Sequence, residues 1–212
     1  LKWNYIPKMI PWILRYLKSC NKKSMMHTAR YMHQILNLSM DAYEEIFQEI
    51  DTTNLIERKG IIYIWTKDNL KSRKLEIKVR DELGVKQKLL TKDEVLDLEP
   101  KLNPVFHEGV LYEDAIHARD PHGITKKIFE EYLKRGGKFI KENVKSLKQI
   151  SENKTFVKTD SEDYTFEKTV IACGAFSKSL TDQLNENIPL DTERGYHVHF
   201  KGMDHLITRP VI

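Results

Sequence analysis

The sequence is poor in cysteine, with only Cys20 and Cys173 in 212 residues. That excludes a disulfide framework and a CxxC metal pair; one long-range bridge is the most that oxidation allows, and two distant thiols fit a reducing, cytoplasmic setting. Long hydrophobic runs are missing as well. No apolar stretch approaches the ~18 residues of a membrane span. Leu1-Lys2-Trp3-Asn4 does not open a signal peptide, because no long apolar segment follows it. There is no G-x-S-x-G nucleophile elbow, no internal repeat and no low-complexity segment. Neither sign of charge dominates: 35 Lys and Arg face 31 Asp and Glu, a net +4. These charges are interspersed, which argues against a nucleic-acid footprint, and the Lys/Arg-rich stretch from Lys71 to Lys88 is mixed with acids on an expected helix, as a solvated face would be. Glu113 and Asp114 are adjacent and would point to opposite sides of a strand, so they form no acid/base pair. His197 and His199 share one face of an expected strand, with His205 nearby, but no further Cys, His or carboxylate completes a metal set, and no metal is expected.

What is present is ordinary for a globular chain: 40% hydrophobic and 31% charged residues, enough for one large or two small cores. The first 50 residues read as helices. Pro7 and Pro11 precede Trp12–Leu17, where proline at a first helical position suits a helix start, a second helix runs from about Ser24 to Leu36, and Ser39 is expected to cap a third with the stripe Tyr43, Ile46, Phe47, Ile50. Gly60–Trp65 reads as a strand, Asp68 as the cap of a helix stopped by Gly84, and Thr91-Lys92-Asp93-Glu94 as a capping box. Glu99-Pro100 ends that short helix. Gly109–Tyr112 and Ile116–Ala118 read as strands, and Asp120-Pro121 opens a helix that stops at Gly136-Gly137. A β-rich stretch follows over Phe139-Ile140, Val144–Ile150, Thr155–Thr159 and Tyr164–Phe166. Then come a short strand Thr169–Ala172, a helix from about Phe176 to Leu184, and a last strand Tyr196–Phe200. Helices first and mixed elements afterwards give a mixed α+β fold class.

The stretch Val170-Ile171-Ala172-Cys173-Gly174-Ala175-Phe176-Ser177 is strand, small-residue turn and helix start in succession. Small side chains let a ligand approach the backbone, and N–H groups at a helix start favour polar groups. A plain strand-to-helix turn has the same pattern. The stretch resembles the AAGAWS segment of the D-amino acid oxidase superfamily of FAD-dependent oxidoreductases, with Cys173 for the second alanine and Phe176 for the tryptophan. Further segments agree in order. Leu90–Val95 with Leu98-Glu99-Pro100-Lys101-Leu102 resembles "LT..EV..LEP.L", Asp120-Pro121 to Gly136-Gly137 resembles "DP…GG", and Pro189-Leu190 to Arg194-Gly195-Tyr196-His197 resembles "PL…RGYH". Pro11-Trp12 to Cys20 is similar to bacterial D-amino acid dehydrogenases.

The resemblance implies a flavoprotein of amino acid catabolism in which hydride passes from the Cα of a D-amino acid to FAD, giving a keto acid after hydrolysis. A glycine or sarcosine oxidase-like enzyme is the rival within the superfamily, and a non-catalytic binding or interaction module the rival outside it. By position, Val144 would meet the adenine side of FAD, Ala172, Cys173, Gly174 and Ser177 would line it, and Tyr196 and His197 would lie toward the substrate. No catalytic residue is assigned, and Cys173 reads as a small buried residue. Residues 1–118 would be the first part of a substrate domain, 119–188 a returning, incomplete segment of an FAD domain, and 189–212 substrate-domain strands. The family's G-x-G-x-x-G fingerprint is absent from the nine glycines, and the chain starts on Leu and stops on the apolar run Leu206–Ile212, so an interior fragment is expected. Uncovered faces of such a piece would favour self-association.

Overall fold

The computed structural model describes residues 6–190, 192, 194–198, 200–203 and 206–212. Packing divides the chain into two compact units, residues 1–135 with 201–212, and residues 136–200.

The first unit opens with three helices, α1 (Ile6–Ser19), α2 (Lys22–Leu36) and α3 (Ser39–Glu49). Asn21 caps α2 through its side-chain oxygen, which accepts the Ser24 N–H at 3.0 Å. Two sequence expectations need correction. Pro7 is the second residue of α1, but Pro11 lies inside the helix rather than at its start, costing it one N–H donor. Ser39 is not a cap either: Leu38 holds that position without a side-chain bond, and the Ser39 hydroxyl donates backward to the Leu36 carbonyl at 2.6 Å.

The unit's main sheet is β2 (Ile61–Trp65), β4 (Glu108–Tyr112) and β3 (Lys88–Thr91), in the order β2-β4-β3 and antiparallel throughout. α4 (Leu70–Glu82) enters after a 3-10 turn at Lys67–Asn69, so Asp68 sits in that turn rather than at the cap, and Gly84 with φ +73 stops the helix as expected. α5 (Lys92–Leu98) begins with the expected capping box: the Thr91 hydroxyl accepts the Glu94 N–H and the Glu94 carboxylate accepts the Thr91 N–H. Val95 thus faces the sheet and joins Ile62, Leu90, Phe106 and Leu111 in the core. The packing is close enough that Gly109, in the central strand, has no room for a methyl group: a Cβ there would stand 2.8 Å from a Val95 methyl and 3.1 Å from the Tyr63 carbonyl.

The other edge of β2 is taken by the end of the chain. The Ile62 N–H donates to Pro210 O, the Ile212 N–H to Ile62 O and the Ile64 N–H to Ile212 O, at 2.9–3.0 Å, so Pro210–Ile212 runs parallel to β2. Glu99, just past α5, holds this segment. Its carboxylate is 1% exposed and accepts the Thr208 N–H at 2.9 Å, the Thr208 hydroxyl at 2.6 Å and Arg209 Nε at 3.0 Å. Arg209 also donates to the Lys59 carbonyl at 2.9 Å. β1 (Ile56–Glu57) and β5 (His117–Ala118) pair antiparallel, and α6 (Pro121–Lys134) follows, capped by Asp120, which accepts the Gly123 N–H at 2.9 Å.

The second unit is a meander of β6 (Ser146–Ser151), β7 (Lys154–Lys158) and β8 (Asp163–Phe166), antiparallel and in sequence order. α7 (Ser177–Thr181), between 3-10 turns at Gly174–Phe176 and Asp182–Leu184, packs Leu180 against Leu147 and Val157. Phe139-Ile140 forms no strand, and β6 begins two residues after Val144. Thr169–Ala172 and Tyr196–Phe200 are also not strands in their described residues: Val170 is 86% and Tyr196 87% exposed, and no strand lies beside either segment among the described residues. A strand needs a neighbour to take its N–H and C=O groups, and the described residues supply none.

The fold is mixed α+β, with helices and small antiparallel sheets. The compact units divide at 135/136 and 200/201, whereas the family reading divides the chain at 118/119 and 188/189; the former are packing units, the latter assignments of role.

Glu99→Ala would leave Arg209 and Thr208 without their buried acceptor, and is expected to cost about 3 kcal/mol, the scale of breaking a buried ion pair. Urea unfolding would show the loss as a lowered midpoint. Gly109→Ala should cost about 1–3 kcal/mol by overpacking in the same measurement, with Val95→Ala restoring part of it in the double variant.

Candidate functional site

All seven residues expected at the ligand site lie in the second unit. Four of them, Ala172, Cys173, Gly174 and Ser177, follow Ile171 at the turn into α7, and Val144 lies just before β6. Ile171 packs against the Leu147–Val157–Leu180 cluster, while Val170 points to solvent. That one inward side chain seats the turn Ala172-Cys173-Gly174 on the core and leaves its outer surface open. Gly174 has φ +55, a left-handed conformation that disfavours any side chain, and nothing stands within 4 Å of where its Cβ would be. Ala172 to Phe176 are exposed and Ser177 is half-buried as the first residue of α7. Cys173 is exposed, which corrects the expectation of a buried thiol, and both cysteines are free.

The segment that follows the turn is tied to the start of β6. Beyond α7 the Gln183 side chain accepts the Leu147 N–H at 3.1 Å and donates to the Lys145 carbonyl at 3.3 Å. This ties the start of β6, and Val144 just before it, to the turn-and-helix segment. Val144 keeps 39% of its surface exposed. Tyr196 and His197 are not carried to this place by a strand, and His199 and His205 lie outside the described residues.

The residues fit a dinucleotide cofactor as a wall of close approach. The small exposed side chains and the positive φ at Gly174 give a ligand access to backbone. They fit less well as an anion cradle: α7 has only five residues, the Phe176 N–H is used by Cys173 O at 3.1 Å, and the Ser177 N–H by Gly174 O. A plain phosphate seat at this helix start is therefore not what the turn provides.

The first unit has concave surfaces of its own that the sequence patterns did not reveal. A groove of about 1210 Å³ is lined by Met32 and Leu36 of α2, by Tyr63 and Tyr112 of the sheet and by Arg80 of α4. The Arg80 guanidinium stands 5.2 Å from both ring centres and 3.1 Å from the Glu76 carboxylate. Burial pushes the Tyr112 phenol up, with Arg80 pulling the other way, and its Oη is buried without a hydrogen-bond partner among the described residues. Arg80 thus departs from the solvated face expected for residues 71–88; its spacing from Arg73 carried no sign of this. A smaller cleft of about 370 Å³ lies among Glu57, Lys59, His117, Arg119 and Arg209. Burial lowers the pKa of His117 there. Among the described residues no three His, Cys, Asp or Glu gather as a metal site, and no helix is long and apolar enough to cross a membrane.

Comparison with known proteins bears on this arrangement. The sequence profile described as "FAD dependent oxidoreductase" (DAO) matches residues 8–211. The chain is 30% identical over 199 residues to a D-amino-acid oxidase of Bradyrhizobium diazoefficiens, covering 93% of this chain and 47% of that protein. It is 25% identical over 194 residues to a D-amino acid dehydrogenase of Vibrio vulnificus, covering 90% and 46%. The fold is shared with glycine oxidase from Geobacillus kaustophilus, at a TM-score of 0.59 and 18% identity over 79% of this chain and 44% of that one. Glycine oxidase from Bacillus cereus gives a TM-score of 0.56 at 26% identity, over 76% and 44%. The chain spans about half the length of the curated relatives it matches. Because the family profile runs through nearly the whole chain, across both compact units, the chain belongs to the DAO family of FAD-dependent oxidoreductases.

Proposed function

We propose that this chain is part of an enzyme that oxidatively deaminates D-amino acids, with FAD as the electron acceptor. The 30% identity to a D-amino-acid oxidase over 93% of the chain carries this reading. When bound, FAD supplies the two-electron acceptor for the hydride leaving the substrate Cα. The remaining atoms balance simply: the amine becomes an imine, and water converts it to a keto acid and ammonia.

The residues of this chain bind and orient. Ala172, Cys173 and Gly174 form the wall along which the cofactor lies, Ser177 borders it, and Val144 takes the adenine side. Tyr196 and His197 are assigned to the substrate side of the second unit. In the first unit, Arg80 between Tyr63 and Tyr112 offers a cation and two aromatic faces in an apolar groove, suited to the carboxylate and side chain of an amino acid. Residues 1–118 and 189–212 are then assigned to substrate binding, and 119–188 to the cofactor. A glycine-type amine oxidase is the second reading, favoured by the fold shared with the two glycine oxidases.

Two measurements test these assignments. The complete reading frame that encodes this chain is expected to purify yellow, with a flavin band near about 450 nm, while the 212-residue chain alone is colourless. Gly174→Val in the complete protein should lose most of the flavin at unchanged circular dichroism, since a β-branched residue at φ +55 costs on the order of 1–3 kcal/mol and blocks the approach. A colourless complete protein would overturn the enzyme reading. For the substrate, D-amino acids, glycine and sarcosine are offered with a dye acceptor. Reduction by D-amino acids is expected; reduction by glycine or sarcosine alone would replace the first reading with the second.

A further inference from the structure

The smaller cleft of the first unit has no part in the flavin reading. Three segments distant in sequence build it: Glu57 at the end of β1 with Lys59 before β2, His117 in β5 with Arg119 just past it, and Ile207 to Pro210 near the end of the chain. Among the described residues, three cations line it, Lys59, Arg119 and Arg209, against the carboxylate of Glu57. That carboxylate stands 3.3 Å from Lys59 Nζ and 3.1 Å from Arg119 Nη1, so it steers both heads toward one place while matching the charge of only one. Arg209 is held more firmly. Its side chain is 14% exposed, with Nε on Glu99 and Nη1 on the Lys59 carbonyl, and its Nη2 makes no hydrogen bond among the described residues. Even with Glu99 counted behind Arg209, one positive charge is left unmatched. His117 also lines the cleft, and its Nδ1 is buried without a partner among the described residues, where buried polar atoms normally have one. Ile207 and Pro210 supply an apolar side.

We infer that this cleft is a binding site for a small organic carboxylate, which bridges the end of the chain and the β1–β5 pair. Two planar guanidinium groups match a planar carboxylate, and the Lys59 ammonium adds a third donor group. Ile207 and Pro210 suit a short apolar tail on the same molecule. A volume of about 370 Å³ lies at the small end of ligand pockets, enough for a short carbon chain and too little for a nucleotide. Inorganic phosphate would satisfy the cations, but it covers no apolar surface and brings extra negative charge against Glu57. A neutral molecule leaves the unmatched positive charge unanswered. The site also has a structural consequence. Arg209 belongs to the segment that closes the edge of β2, so the complete cleft exists only when that segment is docked. A ligand that binds the docked form alone stabilises it by mass action. The inference goes beyond the proposed function and rests on the first unit alone, so failure of either leaves the other standing.

The test is thermal unfolding of the 212-residue chain, and of the complete protein, in sodium propionate at constant ionic strength. Propionamide, which has the same shape without the charge, and inorganic phosphate are the comparisons. Propionate is expected to raise the midpoint saturably, with a dissociation constant on the order of 1 mM and a rise of about 5 °C at a hundredfold excess. Propionamide and phosphate are expected to leave the midpoint unchanged at the same concentrations. Arg119→Gln and Lys59→Gln alter side chains that are 44% and 47% exposed, so circular dichroism should stay unchanged. Each should weaken propionate binding about tenfold in calorimetric titration, the scale of one hydrogen bond to a charged group. Arg80→Gln, in the larger groove, should leave propionate binding as it was. The inference is overturned if propionate does not shift the midpoint, if propionamide shifts it equally, or if phosphate binds in its place. It is also overturned if Arg80→Gln removes the binding while Arg119→Gln and Lys59→Gln do not. A complete protein that does not bind the propionate bound by the shorter chain overturns it too, because the rest of the protein then fills the cleft.

Discussion

A carboxylate withdrawn almost completely from water needs donors from every side, and Glu99 obtains them from residues more than a hundred positions away. Its partners are the backbone and hydroxyl of Thr208 and the guanidinium of Arg209. The geometry of the first unit follows from satisfying that group. Glu99 is placed by α5, whose start is fixed by the Thr91–Glu94 box and whose body is held by Val95 in the core. With Glu99 fixed, Thr208 and Arg209 have one position, and the residues after them fall into register beside β2. The Arg209 bond to the Lys59 carbonyl then ties the same segment to the turn that leads into β2. A charge this deeply buried gives little net stability over an apolar filling, but it tolerates very few alternative arrangements.

The second unit follows the same logic with apolar groups. Its core is small, and Ile171 and Leu180 decide how the segment around Gly174 is presented. Because Ile171 is inward and its neighbours are outward, the glycine turn is held at the surface rather than folded into the unit. A rigid, open and small-sided surface is what a flat cofactor requires of the protein beside it. The family assignment and this geometry are therefore consistent.

Much of this was legible in the sequence where local chemistry decides the outcome. The Thr91–Glu94 box, the Asp120-Pro121 start of α6 and the glycine stop of α4 are short-range devices, and each formed where its residues stand. The failures share a different cause. Thr169–Ala172 and Tyr196–Phe200 have strand composition, but a strand is a relation between two segments, and composition says nothing about whether the second is present. The converse error was the end of the chain: Pro210–Ile212 pairs with β2, yet three residues carry no periodicity to detect. Ser39 and Pro11 had the right residue types one position or one turn from where the helices begin, which is where boundaries are set by packing rather than by caps. At the candidate site, Gly174 and its small neighbours could be read in advance; the inward turn of Arg80 onto two tyrosines depends on tertiary contact and could not.

The closure of β2 by the end of the chain also has a temporal side. Lys59 and its partner Arg209 are 150 positions apart, and the whole of the second unit is made between them. At about 5–20 residues per second of synthesis, the β2 edge waits on the order of 10–30 seconds for its neighbour. During that interval it is a hydrogen-bonding template without an occupant, and Glu99 waits for its donors Thr208 and Arg209. The second unit can fold as it emerges, since its strands follow one another in order. The first unit closes only once Thr208–Ile212 have been made, so the order of manufacture leaves the larger unit to become whole after the smaller one.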